Sequence, residues 1–183
     1  MIKVDKGILL VAEPFMKDEN FQRAVVLLCE HQVTGSFGIT INKRSPHLVA
    51  NFIEGIGNYT LPLYDGGPVG KDHVHFLHNL PSHIPQSTLV GEETYWGGDL
   101  EAAKFVINSG LGNDSNIRFY IGYSGWGEQQ LDEEMDEKSW LTISSSKRLV
   151  FHEDLSSIWK DAVRSMGDEF KPIINYPLDP SFN

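Results

Sequence analysis

The nine residues Phe119-Tyr-Ile-Gly-Tyr-Ser-Gly-Trp-Gly127 constrain this chain more than any other segment. An alternating, β-type run passes directly into three glycines and two large aromatics. Gly122, Gly125 and Gly127 point to positive φ or close backbone approach, which a Cβ resists. Tyr123 and Trp126, in the middle of that bend, read as amphipathic anchors presented for recognition.

The chain around this bend has the length of one domain, 183 residues. Its longest apolar run, Ala24 to Cys29, is far short of the roughly 20 residues of a membrane-spanning helix. The first residues, Met1-Ile-Lys-Val-Asp-Lys, lack an apolar signal core. Together with a single cysteine, Cys29, these features predict a cytoplasmic protein of a reducing compartment, with no membrane association. The formal net charge is −10, and basic residues pair only at Lys43-Arg44 and Lys147-Arg148. A field of that sign repels phosphate backbones, so direct nucleic-acid binding is not expected. The acidic run Glu128 to Glu137 reads as a solvated helix face.

Local patterns divide the chain into mixed elements. Gly7 to Ala12 reads as a buried strand, and Ala24 to His31 as a second. Phe37 to Asn42 alternates strictly and forms a hairpin with the preceding strand across Gln32 to Gly35. Pro46 and Gly55 bracket an expected helix over His47 to Ile53. Tyr64 to Gly70 is expected as a tight loop, and Val74 to Leu77 as a strand. Asp99 is the expected N-cap of a helix from Leu100 to Ser109. Strands follow over Ile117 to Tyr123 and Trp140 to Ile143. A helix opened by Gly127 carries Leu131 and Met135 between them, and a last helix spans Leu155 to Met166. Hairpins without a regular βαβ period predict an α+β fold: one domain over residues 1–170 with a mixed or antiparallel sheet. The segment Lys171 to Asn183, with its prolines, is expected as a loosely held tail.

Several residues tempt a chemical reading. On a regular strand Cys29 and His31 share one face with Val25 and Leu27, while Glu30 takes the other. Cys29 is either a small buried hydrophobe or a reactive thiol. Ser124 fails the nucleophile-elbow pattern, because Trp126 stands where the second glycine is required. His73, His75 and His78 have no nearby cysteine or acidic cluster to complete a metal site, so no metal is expected. The Gly66-Gly67 pair is either a turn requiring unusual φ or an anion nest. With no dinucleotide fingerprint and no phosphate loop, no cofactor is expected.

In order, Gly7 to Pro14, Phe21 to His31, Gly35 to Asn42, Tyr64 to Val69, Leu77-His78, Gly122 to Gly127, Gln130-Leu131 and Trp140 resemble the AlgH/YqgE family of bacterial proteins. The resemblance runs from about Gly7 to Gly167. It implies a small barrel-like sheet surrounded by helices, and a cytosolic protein without an established activity that carries a transcriptional-regulator label. It maps recurrent positions onto Arg23, Glu30, His31, Gly38, Asn42, Gly66, Gly67, Pro68, His78, Gly122, Tyr123, Gly125, Trp126, Gly127, Gln130 and Leu131. Three departures stand out: Ser124 replaces an alanine, Glu128-Gln129 replace Pro-Gly, and Lys43-Arg44-Ser45 separate Asn42 from Pro46. The polar members Arg23, Glu30, His31, Asn42, His78 and Gln130 form either one crevice or a satisfied buried network. The leading expectation is a non-enzymatic binding or regulatory protein. Its surface is built on Tyr123 and Trp126 beside the Gly66-Gly67-Pro68 loop, and its partner is an unidentified protein or small molecule. The alternative is a small-molecule enzyme or redox-responsive protein using His31 with Glu30 or Cys29.

Overall fold

The computed structural model describes residues 2–176. Ten strands and four α-helices follow one another: β1 (Ile8–Ala12), β2 (Val25–Gln32), β3 (Gly35–Thr40), β4 (Arg44–Leu48), β5 (Pro62–Asp65), β6 (Val69–His78), β7 (Thr88–Gly91), β8 (Thr94–Trp96), α1 (Leu100–Asn108), β9 (Ile117–Trp126), α2 (Gln130–Asp136), β10 (Trp140–Ser144), α3 (Lys147–Val150) and α4 (Leu155–Arg164). The sheet runs β10-β1-β2-β3-β9-β6-β8-β7, with β5 joining β4 to β9. Every pairing is antiparallel except β5 with β9. The far strand β7 returns against the first strands. Val90 packs in one core with Leu9 and Leu27, and the Glu92 N–H donates to Ser145 Oγ just past β10. The sheet is thereby nearly closed into a barrel, an α+β fold in one domain.

The alternation of apolar residues explains three cores. Leu9, Val11, Leu27, Ile39 and Tyr120 fill the barrel interior and meet the apolar stripe of α4, Ile158 to Val163. Ile8, Leu10, Val26 and Leu28 face outward and are covered by Trp126, Leu131 and Trp140. On the third side, α1 covers Leu63, Phe76 and Phe119; Asp99 accepts the Ala102 N–H as its cap, as the sequence predicts.

The structure corrects several local expectations. His47 to Ile53 is not a helix. Arg44–Leu48 pairs with β5, and only Val49–Asn51 makes a 3-10 turn. Pro46 sits in this short strand, where its missing N–H is tolerated at a sheet edge. Tyr64 to Gly70 is not one loop: it is the end of β5, a two-glycine crossing and the start of β6. The bend seen in Gly122 to Trp126 is the continuation of β9, whose last residues pair with β3. The start of the expected tail, from Lys171, is not loose: it lies in the 3-10 turns Asp168–Asn175, which set Ile173 and Ile174 against the core, and Arg23 donates to Tyr176 O at 2.6 Å. Residues 177–183 lie outside the described residues. None of the described helices is long and apolar enough to cross a membrane.

Candidate functional site

The glycine-aromatic stretch forms the ridge between two surface lobes. One, about 560 Å3, lies between residues 13–21 and α2, with Phe15, Met16, Phe21, Trp126 and Glu134 in its walls. The other, about 530 Å3, lies over the end of the β2–β3 hairpin, between Glu30, Phe37, Val69 and Tyr123. Gly125 and Trp126 line both.

Trp126 is not the exposed anchor the sequence suggests: it is 5% exposed. Opposite Ser36, it faces outward from the barrel, where Phe21 stacks on it at 6.1 Å and Trp140 meets it edge-on at 5.9 Å. Its indole N–H donates to Glu134 Oε2 at 2.9 Å, and the Trp140 indole donates to the same oxygen at 2.7 Å. The Gln130 amide donates to Glu134 Oε1 at 3.0 Å, and its own carbonyl accepts the Gly127 N–H. Glu134, which no sequence motif singles out, thus locks α2 onto the strand. Gln129 starts this helix at φ 61°, the left-handed conformation that the glycine implied by the resemblance adopts without a Cβ penalty.

The other lobe rests on a cluster of rings. Phe37 lies 5.0 Å from both Tyr123 and Trp96 and 5.3 Å from His75, and the four rings plug the barrel interior. Burial lowers the pKa of His75, with His73 adding to the effect, and its Nε2 is buried without a partner. Beneath Tyr123, the two-glycine crossing is fixed by contact. A Cβ on Gly66 would lie 2.3 Å from Gly122 O, and one on Gly67 2.2 Å from the Tyr123 carbonyl carbon. Their N–H groups are spent on Ile121 O and Asp65 Oδ1, so no anion nest is left. Pro68 is exposed beside Val69. Ser124, fully buried, donates to Gly66 O and meets Thr40 Oγ1, a strut rather than a nucleophile.

A bulge reorganises the Cys29-Glu30-His31 segment. Leu28 pairs with Gly38 but Glu30 with Phe37, so Cys29 is the extra residue. Beyond it the alternation flips: Glu30 joins the Phe37 face, and His31 pairs with Ser36 on the other, with Nδ1 2.8 Å from Ser36 Oγ. Cys29 stays in the barrel core, fully buried, and burial pushes its thiol well above the ordinary range. It is a packing residue, not a reactive thiol.

The polar positions are therefore not one crevice. Glu30, Tyr123, Trp126 and Gln130 line the lobes. Arg23 and Asn42 form a clamp at the opposite end of β2: Asn42 accepts the Val25 N–H and donates to Arg23 O, while the Arg23 guanidinium lies 4.0 Å over Trp159. His78 is fully buried at the end of β6, donating to Gly97 O and accepting the Leu80 N–H. Sequence reasoning also missed Arg118, 2% exposed. It donates to Asp114 O, Val150 O and His152 O and pairs with Asp114, so it ties the α3 segment to the barrel. Nothing in its local pattern sets it apart from a surface arginine. Among the described residues no group of three His, Cys, Asp or Glu side chains is placed to hold a metal ion.

The family model described as AlgH-like matches residues 9–171. The chain belongs to the AlgH-like family. It is 38% identical over 179 residues to a UPF0301 protein of Cytophaga hutchinsonii, covering 97% of this chain and 98% of that one. It is likewise 38% identical to a UPF0301 protein of Chlorobaculum parvum over 183 residues, or 100% and 97% of the two chains. The fold matches the solution structure of the AlgH protein from Pseudomonas aeruginosa with a TM-score of 0.72 at 25% identity, over 97% and 98% of the chains. It also matches protein DIP2367 from Corynebacterium diphtheriae with a TM-score of 0.77 at 22% identity, over 96% and 94%. In this AlgH-like chain the Gly-Trp-Gly and Gln-Leu positions build the ridge and the helix lock around Glu134.

Proposed function

We propose that this AlgH-like chain is a binding or regulatory protein of the cytoplasm that captures a partner protein in the two-lobed groove over Gly125. One observation carries the reading: two adjoining lobes meet on a ridge whose side chains are held rigid. Tyr123 is packed in the ring cluster and Trp126 is locked by Glu134. Preorganised walls of this kind reduce the ordering cost of association. The groups able to do chemistry are not gathered there. Cys29 lies in the core, and the bulge takes His31 off the face it would otherwise share with Cys29 while Glu30 points the other way. This disfavours the rival of an enzyme or redox switch on His31. The net charge of −10 keeps duplex DNA out of the reading.

A photo-crosslinking amino acid at Glu30, at Glu137 and, as control, at Glu101 on α1 tests this in living cells. Discrete protein adducts from the two groove positions and none from Glu101 support the proposal. Equal adducts from all three positions, or none from the groove, would refute it.

A further inference from the structure

The ladder between β3 and β9 fixes where each main-chain group points. The Ile41 N–H donates to Val25 O on β2, whereas the Thr40 N–H donates away from β2, to Gly66 O. By alternation Phe37 and Ile39 also bond toward β2, while Ser36 and Gly38 bond toward β9. Their partners there are Trp126 and Ser124. Gly125, opposite Phe37, therefore directs both its N–H and its C=O away from β3. On that outer side β9 pairs with β6 only as far as Val69 with Tyr123, and the N–H of Gly67, the residue that continuation of the ladder would set opposite Gly125, donates to Asp65 Oδ1 instead. The next outward group, the Gly127 N–H, is taken by Gln130. Gly125 is thus an open edge position with no side chain of its own, on the ridge where the lobes meet.

We propose that an extended, lysine- or arginine-bearing peptide segment of the partner adds as a short strand at this edge, bonding to Gly125 and placing side chains into the two lobes. The inference rests on the binding reading above and names the class of partner. Strand addition supplies the main-chain bonds, and the lobes supply the selection. Phe37, Val69 and Tyr123 offer an apolar wall in one lobe, and Phe15 and Phe21 in the other. Carboxylates dominate the rims: Glu30 on one side and Glu13, Asp18 and Glu137 on the other, against Lys17 and Lys138. Glu134 is already occupied by two indoles and an amide. An aliphatic segment with cationic side chains matches both surfaces, and the overall charge of −10 favours its approach.

Amide spectra recorded during titration with a peptide alternating valine and lysine, with glutamate and serine counterparts as comparisons, test the proposal. The lysine peptide is expected to shift the Gly125 amide saturably, and the glutamate peptide to leave it unmoved. Raising salt from about 50 to about 500 mM weakens binding several-fold. Gly125→Pro deletes the outward N–H without touching a ladder bond; its Cβ meets the Tyr123 ring edge at 3.0 Å, so its fold is checked by its amide spectrum, and the folded variant is expected to bind at least about tenfold more weakly. Charge reversal of Glu30 and Asp18, which leaves the backbone intact, reduces binding similarly and guards against an unfolded proline variant. Equal binding of lysine and glutamate peptides overturns the cationic class while leaving the groove as a binding site. Undiminished binding to a folded Gly125→Pro overturns strand addition. If no peptide shifts Gly125 while Glu30 and Glu137 still crosslink a partner, the inference falls and the binding reading stands.

Discussion

Replacing Glu134 by alanine should destabilise the fold by about 2–4 kcal/mol, because one carboxylate serves two buried indoles. Trp126 and Trp140 are 5% and 1% exposed, and both donate to Oε2, at 2.9 and 2.7 Å. A buried donor stripped of its acceptor costs about 1–3 kcal/mol. Glu134 borders the larger lobe, so water can reach part of the vacated space and the sum stays below the maximum. For a chain of this size each kcal/mol moves Tm by roughly 2–4 °C, so Glu134→Ala should melt about 4–16 °C lower. Glu134→Gln separates the acceptor from the charge. Its carbonyl oxygen can still take both indoles, but its amide then faces the Gln130 amide donor, a loss of about 1 kcal/mol. Adding Gln130→Glu turns that clash back into a donor–acceptor pair and should recover most of the loss, a coupling that a double-mutant cycle reads directly. Urea unfolding by circular dichroism gives the free energies, and the indole N–H resonances show whether both bonds are lost. The reasoning fails if Glu134→Ala stays within about 0.5 kcal/mol of wild type, or if Glu134→Gln is as damaging as the alanine.

Gly67→Ala, with φ 145° and a Cβ 2.2 Å from the Tyr123 backbone, should cost more than about 3 kcal/mol. Gly97→Ala, at φ 66° with open space around it, should cost only about 1–2 kcal/mol; comparable melting losses would contradict this contact argument. His78 is fully buried and its pKa is lowered by burial. Below about pH 6.5 the unfolded chain binds a proton that the folded one refuses. Stability should therefore fall on acidification by at most about 1.4 kcal/mol per pH unit from this residue. His78→Gln should flatten that slope, and an unchanged slope across pH-dependent urea titrations would rule the assignment out. The Cys29 thiol should resist an aromatic disulfide reagent in the native state and react at the rate of unfolding; fast labelling of folded protein would place it at the surface.

Half of the fold was legible because it is written locally. The apolar runs of β1 and β2 and the hairpin to β3 follow from period-two burial and a short turn. Asp99 caps α1 and the stripe of α4 is plain, since capping and helical spacing need no distant partner. The short strands β4, β5, β7 and β8 were not legible. They are strands because β9, β6 and one another offer them pairing, a fact absent from their own residues. The site divides in the same way. Glycines and aromatics around Tyr123 and Trp126 marked the right place, since only close approach demands Gly66, Gly67 and Gly122. What each side chain does there was decided in three dimensions. Trp126 is buried because α2 brings Glu134 beneath it and Trp140 beside it. Glu30 and His31 exchange faces because the pairing with β3 leaves Cys29 as an extra residue in β2. Gly125 is open because β6 stops pairing at Val69 and the Gly67 N–H turns to Asp65. Sequence determines which residues can bend, alternate or cap; which of them are covered, and by what, depends on contacts that form only when segments far apart in the chain meet.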